Sequence, residues 1–488
     1  MIKIISLVLL LVAGLLVELP AQQISLKTDS LYSNVLHEQR VLKVVLPVGY
    51  GIDSTTRYDV LYVLDGEENT TELVGEVTRF IRDESDMPPT IVVGLVNTDR
   101  NRDLLPTHDA ETPGSGGADK FLDFIQQELI PYVNKNYASN GDNTLLGHSF
   151  GGVLVTYTML TRPQLFESFI AADPSYWWDK EVMTHIATDK LSNLANIHKT
   201  FFISAREGQG LTDMHIPQMD SVLVHHAPAD LHWKISIYDN ETHGSVKLKS
   251  FYDGLKFSYA GYNHKPMLVV PIAGILLKDY PAPLWCFSDT ATIRYTTDGS
   301  KPTYSSAPIP LNGSFTGPAT IVARHFTNRA RYDDTVIGRF TVGDWFTGST
   351  SSHNLKAGGF NYDCFSDDRK LLSSGIADST FDIKNLPSGK IHLVFTGDLK
   401  VTQQGYYIFA MQANGQLNFY LNNKLLIAAQ PDDIRTYIIP LKPGYYPIKE
   451  EYIQTGDSRT LNVEYTTPDK LHGKNTEPIP LSMQFGKK

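Results

Sequence analysis

A serine in a Gly-x-Ser-x-Gly sequence is the residue best suited to chemistry in this chain. Residues 147–151 read Gly-His-Ser-Phe-Gly, with Ser149 at the centre, between an apolar stretch and a helical one. A sharp strand-to-helix turn needs small residues such as Gly147 and Gly151, and it exposes the serine hydroxyl above the sheet. The pattern predicts that Ser149 is the nucleophile of a hydrolase that attacks carbonyl carbons.

A serine at such a turn needs an acid and a histidine base later in the chain. His243 follows a predicted strand in Glu-Thr-His-Gly-Ser and is the predicted base. Glu207, at the end of the predicted strand 200–204, is the predicted acid. Asp213 is its main rival, and Asp173 is less favoured because it precedes a separate element. The acid would hold the imidazole in its reactive tautomer while the serine attacks.

An oxyanion hole requires two backbone N–H groups directed to the point where negative charge develops. Phe150, directly after the nucleophile, is predicted to supply one of them. The second is predicted in the turn after the strand 60–64, from Gly66 or Glu67. A tight turn alone would give the same Asp-Gly sequence, so both roles stay open for that segment.

The elements that would position these residues alternate between strands and helices from about residue 23 to residue 259. Apolar, β-branched runs occupy 42–46, 60–64, 90–95, 143–147 and 200–203. Such nearly continuous apolar runs are typical of strands buried on both faces of a sheet. Residues 120–137 instead repeat apolar side chains on one helical face. The sequence therefore predicts an α/β fold with a mainly parallel sheet.

The rest of the chain predicts β structure. Helical periodicity largely disappears after residue 259, and short strands with turn sequences follow. A Ser/Thr/Gly-rich joint at 347–352 separates two such regions. We expect a hydrolase domain at 22–260, one all-β sandwich at 266–343 and a second at 353–488, which agrees with the three domains expected for 488 residues.

The first 21 residues have the pattern of a secretory signal peptide. One lysine precedes an apolar run, and Leu19-Pro20-Ala21 offers a cleavage point after Ala21. A short membrane anchor is the alternative, although the run is shorter than the roughly 20 residues that a spanning helix needs. We therefore expect a secreted or periplasmic protein without stable membrane insertion after cleavage.

Composition excludes several classes of function. The formal net charge is −10, which offers no basic surface for nucleic acid. The two cysteines, Cys286 and Cys364, cannot build a disulfide framework or a cysteine zinc site, and His-Glu-x-x-His is absent from the sequence. We expect no metal and no cofactor, and the sequence leaves the oligomeric state open.

Five blocks between residues 38 and 257 resemble the "putative esterase" family of α/β-hydrolases. The blocks are 61–66, 97–106, 121–125 with 128–131, 173–178 and 243–245. This family includes enterobactin-type siderophore esterases, S-formylglutathione hydrolases and feruloyl or acetyl xylan esterases. The resemblance implies Ser149 as nucleophile and His243 as base, and it supports Glu207 less firmly because the acid varies in position. The resemblance also suggests Arg100, Trp177 and Trp178 for the substrate pocket, and Asp65 and His148 are further candidates there.

The downstream regions also resemble known modules. Residues 293–303 are similar to the core of the chitobiase and β-hexosaminidase C-terminal domain. Residues 405–424 resemble, more loosely, the protective-antigen-type β-sandwich found beside glycosidases and in sugar-binding adhesins. The usual Asp-Asp-Gly is here Ala413-Asn414-Gly415, which argues against a calcium-dependent lectin site. The modules either bind carbohydrate or only support the fold.

Three functions compete on the sequence. The first hypothesis is an exported serine esterase acting on acetyl or feruloyl groups of carbohydrates, because both β regions resemble modules of carbohydrate-active enzymes. The alternative is a periplasmic siderophore esterase of the enterobactin type, which the hydrolase blocks favour. A non-catalytic carbohydrate-binding protein on a hydrolase scaffold is the third, and the presence of Ser149, His243 and a strand-end acid argues against it.

Overall fold

The chain divides into two compact units. The computed structural model describes residues 25–194, 197–288, 292–352, 354–377, 381, 389–454, 460–471 and 476–487. Unit 1 comprises the described residues up to Lys265 together with Thr327–Tyr332, and unit 2 comprises Pro266–Phe326 and Asp333–Lys488. The predicted signal peptide lies outside the described residues. No helix within the described part of the chain has the length and apolar character needed to cross a membrane.

Unit 1 is built on an eight-stranded sheet. Its strands are β1 (Ser25–Ser33), β2 (Glu38–Leu46), β3 (Tyr58–Val63), β4 (Thr90–Leu95), β5 (Ser139–His148), β6 (Ser168–Ala172), β7 (Lys199–Arg206) and β8 (Leu231–Tyr238). Their order across the sheet is β1-β2-β4-β3-β5-β6-β7-β8. The pairs β1–β2 and β2–β4 are antiparallel, and every later pair is parallel. The predicted α/β fold with a mainly parallel sheet is confirmed.

Helices connect the parallel strands. They are α1 (Glu68–Asp83), α2 (Arg100–Leu104), α3 (Ala118–Phe124), α4 (Ile130–Asn136), α5 (Phe150–Thr161), α6 (Trp178–Lys190), α7 (Gln209–Asp213), α8 (Ile216–His226) and α9 (Val246–Ser258). A π-helical turn, Ile125–Leu129, joins α3 to α4. The apolar face predicted for this stretch is buried, including Phe121, Leu129 and Val133. The helices cover strands such as β3, β4 and β6, whose residues are all buried.

The parallel arrangement brings the chemically active residues to one edge of the sheet. The carboxyl ends of parallel strands meet at the same edge, where ligands bind in open α/β sheets. Ser149 follows β5, Asp173 follows β6, Arg206 ends β7 and His243 lies in the loop after β8. Residues that are distant in sequence are thereby collected at one site.

Unit 2 is made of strands. They are β9 (Val269–Val270), β10 (Ala273–Leu276), β11 (Ala282–Cys286), β12 (Ile293–Thr296), β13 (Asn312–Phe315), β14 (Ala319–His325), β15 (Asp334–Val342), β16 (Lys356–Ala357), β17 (Asn361–Ser366), β18 (Leu371–Ile376), β19 (Ile391–Val401), β20 (Gly405–Ala413), β21 (Gln416–Leu421), β22 (Lys424–Ala429), β23 (Ile434–Leu441), β24 (Gly444–Gln454), β25 (Leu461–Thr466), β26 (Glu477–Pro478) and β27 (Gln484–Gly486). The predicted all-β character of this region is confirmed.

One sheet of unit 2 runs through both regions expected to be sandwiches. Its order is β12-β14-β15-β10-β23-β20-β25-β26, and β10 pairs in parallel with β15 on one side and β23 on the other. The other sheets are β13-β11-β9 and β16-β27-β19-β24-β21-β22, the latter extended by β17 and β18. The two β regions therefore form a single structural unit through shared backbone pairing.

A short downstream segment completes unit 1. Within Thr327–Tyr332, the Arg329 side chain is buried and donates to Asp142 and to Thr144 Oγ1. Its Nη1 also lies 3.7 Å from Asp59 Oδ2, and its guanidinium lies 4.0 Å from the centre of the Tyr259 ring. The hydrolase region predicted as residues 22–260 lacks this segment, so it omits the cation that faces two buried carboxylates.

Candidate active site

Ser149 occupies the sharp turn between β5 and α5. Its backbone angles are φ 60° and ψ −118°, a strained conformation for a residue with a side chain. Its N–H donates to Ala172 O at 3.0 Å, which ties the turn to the neighbouring strand. A Cβ on Gly147 would lie 2.5 Å from the carbonyl carbon of Gly151, so only glycine fits there. This geometry is the one that the Gly-x-Ser-x-Gly sequence predicts.

The acid that contacts the predicted base is Asp173. His243 Nδ1 lies 2.6 Å from Asp173 Oδ2, which is the hydrogen bond that orients a catalytic imidazole. The prediction of Glu207 is thereby corrected: its side chain is exposed after β7, and its N–H bonds Tyr238 O. The rival Asp213 is also exposed, at the end of α7.

Asp173 is held as an ionised carboxylate inside the protein. Burial by itself raises the pKa of Asp173, but hydrogen bonds from His243 and Arg206 outweigh it, and the net pKa is lower than usual. Arg206 Nε donates to Oδ2 at 2.6 Å, and the Asp173 N–H donates to Ser204 O at 3.0 Å. A charged acid stabilises the imidazolium that forms when the base takes a proton.

The nucleophile rests against a second hydroxyl in this structure. Ser149 Oγ and Ser175 Oγ are 3.1 Å apart, and the Ser175 N–H donates to Ser149 O at 3.3 Å. Among the described residues, the hydroxyl of Ser149 makes its hydrogen bond with Ser175 rather than with His243. Bonds between nucleophile and base are often long before substrate binds, and a rotation about the Cα–Cβ bond moves Oγ. Ser175 was not singled out from the sequence.

His148 supports the loop that carries the base. Its Nε2 lies 2.7 Å from His243 O, and the two imidazole rings are 4.3 Å apart. Burial, followed by the nearby charges of His243 and Lys247, lowers the pKa of His148 to about 4. The ring is therefore neutral near pH 7, and Nε2 carries the proton that it donates to the carbonyl.

The structure leaves two backbone N–H groups as candidates for the oxyanion hole. Gly66 N–H already donates to Leu95 O at 2.9 Å, which corrects its prediction as a donor to substrate. Glu67 caps the start of α1, and among the described backbone bonds its N–H has no acceptor. Phe150 begins α5, where the first N–H groups of a helix have no intrahelical partner. Phe150 and Glu67 remain the candidates.

Aromatic rings and an ion pair form one side of the site. Arg100 binds Asp65 through two bonds, Nε to Oδ1 at 2.6 Å and Nη2 to Oδ2 at 2.8 Å. Its guanidinium lies 5.2 Å from the centre of the Phe150 ring. Phe150 in turn contacts Trp177 and Trp178, with ring centres 5.8 Å and 5.6 Å away. Trp178 is buried, whereas Trp177 is 42% exposed and is available to a ligand.

Three polar side chains of the site lie close enough to be considered as metal donors. Donor atoms of His148, Asp173 and His243 all lie within 4.8 Å of one another. His243 Nδ1 and Asp173 Oδ2 already share a hydrogen bond, and His148 Nε2 donates to a carbonyl. The donor atoms are engaged in hydrogen bonds within the protein, and we assign them no metal.

Comparison with known protein families agrees with this fold. Residues 33–219 match the family model described as "Putative esterase", residues 284–334 match "Fn3 associated" and residues 342–475 match "PA14 domain". The resemblances to the esterase family and to the protective-antigen-type sandwich are confirmed. The similarity to the chitobiase C-terminal domain stays a prediction.

Several individual proteins resemble parts of the chain. Siderophore triacetylfusarinine C esterase of Aspergillus fumigatus is 41% identical over 90 residues, which are 18% of this chain and 31% of that protein. Ferri-bacillibactin esterase BesA of Bacillus subtilis is 31% identical over 147 residues, which are 25% of this chain and 50% of that protein. The crystal structure of an IroE-like serine hydrolase from Shewanella oneidensis is 29% identical, with a TM-score of 0.47, over 49% of this chain and 82% of that one. The chain thus spans half or less of the curated relatives named here.

Proposed function

We propose that the protein is a serine carboxylic ester hydrolase that works through an acyl-enzyme. The observation that carries the proposal is the 2.6 Å bond between His243 Nδ1 and Asp173 Oδ2, at the sheet edge where Ser149 adopts its strained turn. A histidine base oriented by a buried acid, near a serine at the end of a strand, is the arrangement that activates a hydroxyl for attack on a carbonyl.

Each residue has a defined step in this reaction. His243 Nε2 takes the proton of Ser149 Oγ as the oxygen attacks the ester carbonyl carbon. The oxyanion that forms accepts hydrogen bonds from the N–H groups of Phe150 and Glu67. His243 then gives the proton to the departing alcohol, which leaves the acyl group on Ser149. A water molecule, deprotonated by the same imidazole, releases the acid and restores the serine.

The favoured substrate class is an ester-linked siderophore. The two curated relatives named above are a siderophore triacetylfusarinine C esterase and a ferri-bacillibactin esterase, and they support the alternative raised by the sequence better than the carbohydrate ester. The aromatic side of the site suits a flat aromatic ring such as a catechol, because Trp177 exposes its ring beside Phe150. Lys247, near His148, supplies positive charge for an anionic ligand, whereas Arg100 is neutralised by Asp65.

A carbohydrate-linked ester remains the second candidate because of a cavity in unit 2. This cavity measures about 800 Å³, and none of the described residues that line it is charged. Its lining includes Tyr280, Trp285, Tyr406, Asn312 and Gln404. The exposed ring of Tyr280 together with amide groups fits a neutral sugar, and a sugar-binding module would raise the local concentration of such a substrate. In this case the acyl group is acetyl or feruloyl.

Turnover of defined esters distinguishes the two substrates. The full chain is assayed with a cyclic catecholate trilactone, with acetylated and feruloylated xylo-oligosaccharides and with p-nitrophenyl acetate, and Ser149→Ala is the control for each. We expect kcat/KM for the trilactone to exceed that for the sugar esters by about 100-fold or more, a difference of roughly 2.7 kcal/mol in transition-state binding. The reverse ratio would establish the second candidate, and no turnover of any ester would reject the hydrolase proposal.

We also propose that the protein is exported. The proposal rests on the signal-peptide pattern of residues 1–21. Expression in a bacterial host followed by N-terminal sequencing of the periplasmic and cytoplasmic fractions tests it. A mature N-terminus after Ala21 in the exported fraction supports the proposal, and an intact Met1 confined to the cytoplasm contradicts it.

A further inference from the structure

The triad acid shares one oxygen between two positively polarised donors. Asp173 Oδ2 lies 2.6 Å from His243 Nδ1 and 2.6 Å from Arg206 Nε. The other carboxylate oxygen, Oδ1, is buried and has no hydrogen-bond partner among the described residues. The charge of Asp173 is therefore divided between the base that it orients and a guanidinium that takes no part in proton transfer.

The position of Arg206 is fixed by the sheet and by the helix that follows. Strands β6 and β7 pair in parallel with Ala172 opposite Ser204, so the end of β7 lies beside the residue that follows β6. The first turn of α7 packs onto the guanidinium: a Cβ on Gly210 would lie 2.9 Å from Arg206 Cζ. The Arg206 side chain is only 18% exposed. The guanidinium is thus held in place against the acid.

We propose that Arg206 is a positioning residue of the triad, which fixes Asp173 against His243 and offsets the negative charge of the Asp173 carboxylate. The proposal rests on the proposed esterase function. It adds a residue outside Ser149, His243 and Asp173 that influences the pH range of catalysis.

The groups that face His243 determine in which direction removal of Arg206 shifts the protonation of the base. Asp173 favours the imidazolium, whereas Arg206, which bonds the same carboxylate oxygen as His243, disfavours it. His148 contacts the His243 ring while remaining neutral, and Lys247 lies on α9 beside His148. Removal of the guanidinium leaves an uncompensated carboxylate next to the imidazole, which raises the pKa of the base. A unit charge a few ångströms away in a partly solvated site shifts a pKa by about one unit.

The pH dependence of catalysis separates this role from simple structural support. Catalysis needs neutral His243, so the acid limb of kcat/KM reports the pKa of the base. In Arg206→Gln we expect this limb to move upward by about one pH unit. In Arg206→Lys, which keeps the charge but loses the planar fork, we expect the limb to stay near that of the wild type while the plateau falls about tenfold.

A matched control comes from Arg162. Its side chain is also 18% exposed, and it binds the Asp123 carboxylate at 2.6 Å at the end of α5, outside the triad. Arg162→Gln therefore removes an equally exposed arginine from a carboxylate that is 41% exposed, and it is expected to leave the acid limb unchanged. The assay uses p-nitrophenyl acetate from pH 5 to pH 9 for the three variants and the wild type, with thermal melting to verify folding.

A second measurement does not depend on turnover. The pKa of His243 is read by nuclear magnetic resonance of histidine-labelled full chain, with His243→Gln used for assignment. A rise of about one unit in Arg206→Gln supports the proposal, and a change below about 0.2 unit overturns it. Should Arg206→Gln fail to fold, an acid limb displaced by a full unit in the folded Arg206→Lys variant overturns the charge-based account. If the wild type hydrolyses no ester, the proposed function is refuted. The pKa of His243 measured by nuclear magnetic resonance would still show whether Arg206 acts on His243 through Asp173.

Discussion

Removal of Arg329 is expected to destabilise unit 1 strongly. Its guanidinium donates to Asp142 and Thr144 and lies beside Asp59, and both carboxylates are at least 94% buried. Asp59 has other donors, the hydroxyl of Tyr259 at 2.7 Å among them. Burial raises the pKa of Asp142 to about 6, and the charge of Arg329 opposes that rise. Without Arg329, Asp142 faces Asp59 with no cation between them.

The magnitude follows from the cost of an uncompensated buried charge. Breaking a buried ion pair from one side costs about 3–5 kcal/mol, because the remaining charge has lost its partner and cannot reach water. Part of this cost is relieved when Asp142 binds a proton. The folded-state pKa of Asp142 is raised above that of the unfolded chain, so its ionisation removes stability as the pH rises above about 4. We therefore expect Arg329→Met to lose more stability at pH 8 than at pH 5.

Urea unfolding measured through ester hydrolysis and tryptophan fluorescence tests this expectation. Arg331→Met is the matched control, because Arg331 belongs to the same segment but is exposed. The triple variant Arg329→Met, Asp59→Asn, Asp142→Asn should recover much of the lost free energy of unfolding, because it also removes the two carboxylates that Arg329 neutralises. A truncated chain of residues 22–260 lacks Arg329 and also the bond from Tyr332 to Asp59, and it should lose at least as much stability.

The reasoning would be refuted by a small effect. If Arg329→Met lowers the free energy of unfolding by less than about 1 kcal/mol, the cluster behaves as a surface ion pair would. The reasoning is also refuted if Arg331→Met lowers the free energy of unfolding as much as Arg329→Met does. A deficit that grows toward low pH would reverse the predicted sign and would contradict the role assigned to Asp142.

Three further predictions concern the site and unit 2. Asp173→Asn should lower kcat about 10⁴-fold, as expected for a triad acid, whereas Glu207→Gln should change kcat by less than about threefold. The opposite order would assign the role of the acid to Glu207. Trp177→Ala should raise KM about tenfold for aromatic acyl esters and little for acetyl esters, and an equal rise for both would remove the ring from acyl recognition. Glu450 is fully buried in unit 2 without a hydrogen-bond partner among the described residues, and burial raises its pKa to about 8. Unit 2 should therefore lose about 1.4 kcal/mol of stability per pH unit between about pH 4.5 and pH 8 in melting experiments, and Glu450→Gln should abolish that dependence.

The elements of unit 1 could be predicted because their hydrophobic patterns are local. The runs at 60–64, 90–95 and 143–147 are buried strands, and the apolar face of 120–137 is a covered helical stretch. The nucleophile and the base follow from a local motif and from chain order. These inferences need no knowledge of which strands are neighbours.

The acid could not be chosen from the sequence for a geometric reason. Glu207 and Asp173 both follow apolar strands, β7 and β6, and either carboxylate satisfies the order required between Ser149 and His243. The choice depends on backbone direction: Asp173 has a φ of 41° and turns its carboxylate inward, whereas Glu207 points to solvent. The pairing of β5 with β6 places Asp173 beside the elbow, and the local sequence pattern does not contain that pairing.

Contacts made by distant chain segments also escaped prediction. Gly66 lies in a turn where the sequence predicts an oxyanion donor, yet its N–H donates to the carbonyl of Leu95. Arg329 lies in a region with the pattern of a separate β module, yet its segment belongs to unit 1. Strand β10 pairs with β23, more than 150 residues later, so two predicted sandwiches share one sheet. Hydrophobic pattern contains no information on such pairings.

The account rests most directly on Ser149 as the nucleophile, and an active-site label measures it. The full chain is treated with a fluorophosphonate, digested and analysed by mass spectrometry, with Ser149→Ala and Asp173→Asn treated in parallel. We predict one equivalent of label on the peptide containing Ser149, none on Ser149→Ala, and labelling of Asp173→Asn slowed by a factor of about 10³ or more, because the base is no longer held in its reactive tautomer. Label on another residue, or hydrolysis of p-nitrophenyl acetate by Ser149→Ala within about tenfold of the wild type, would contradict the assignment.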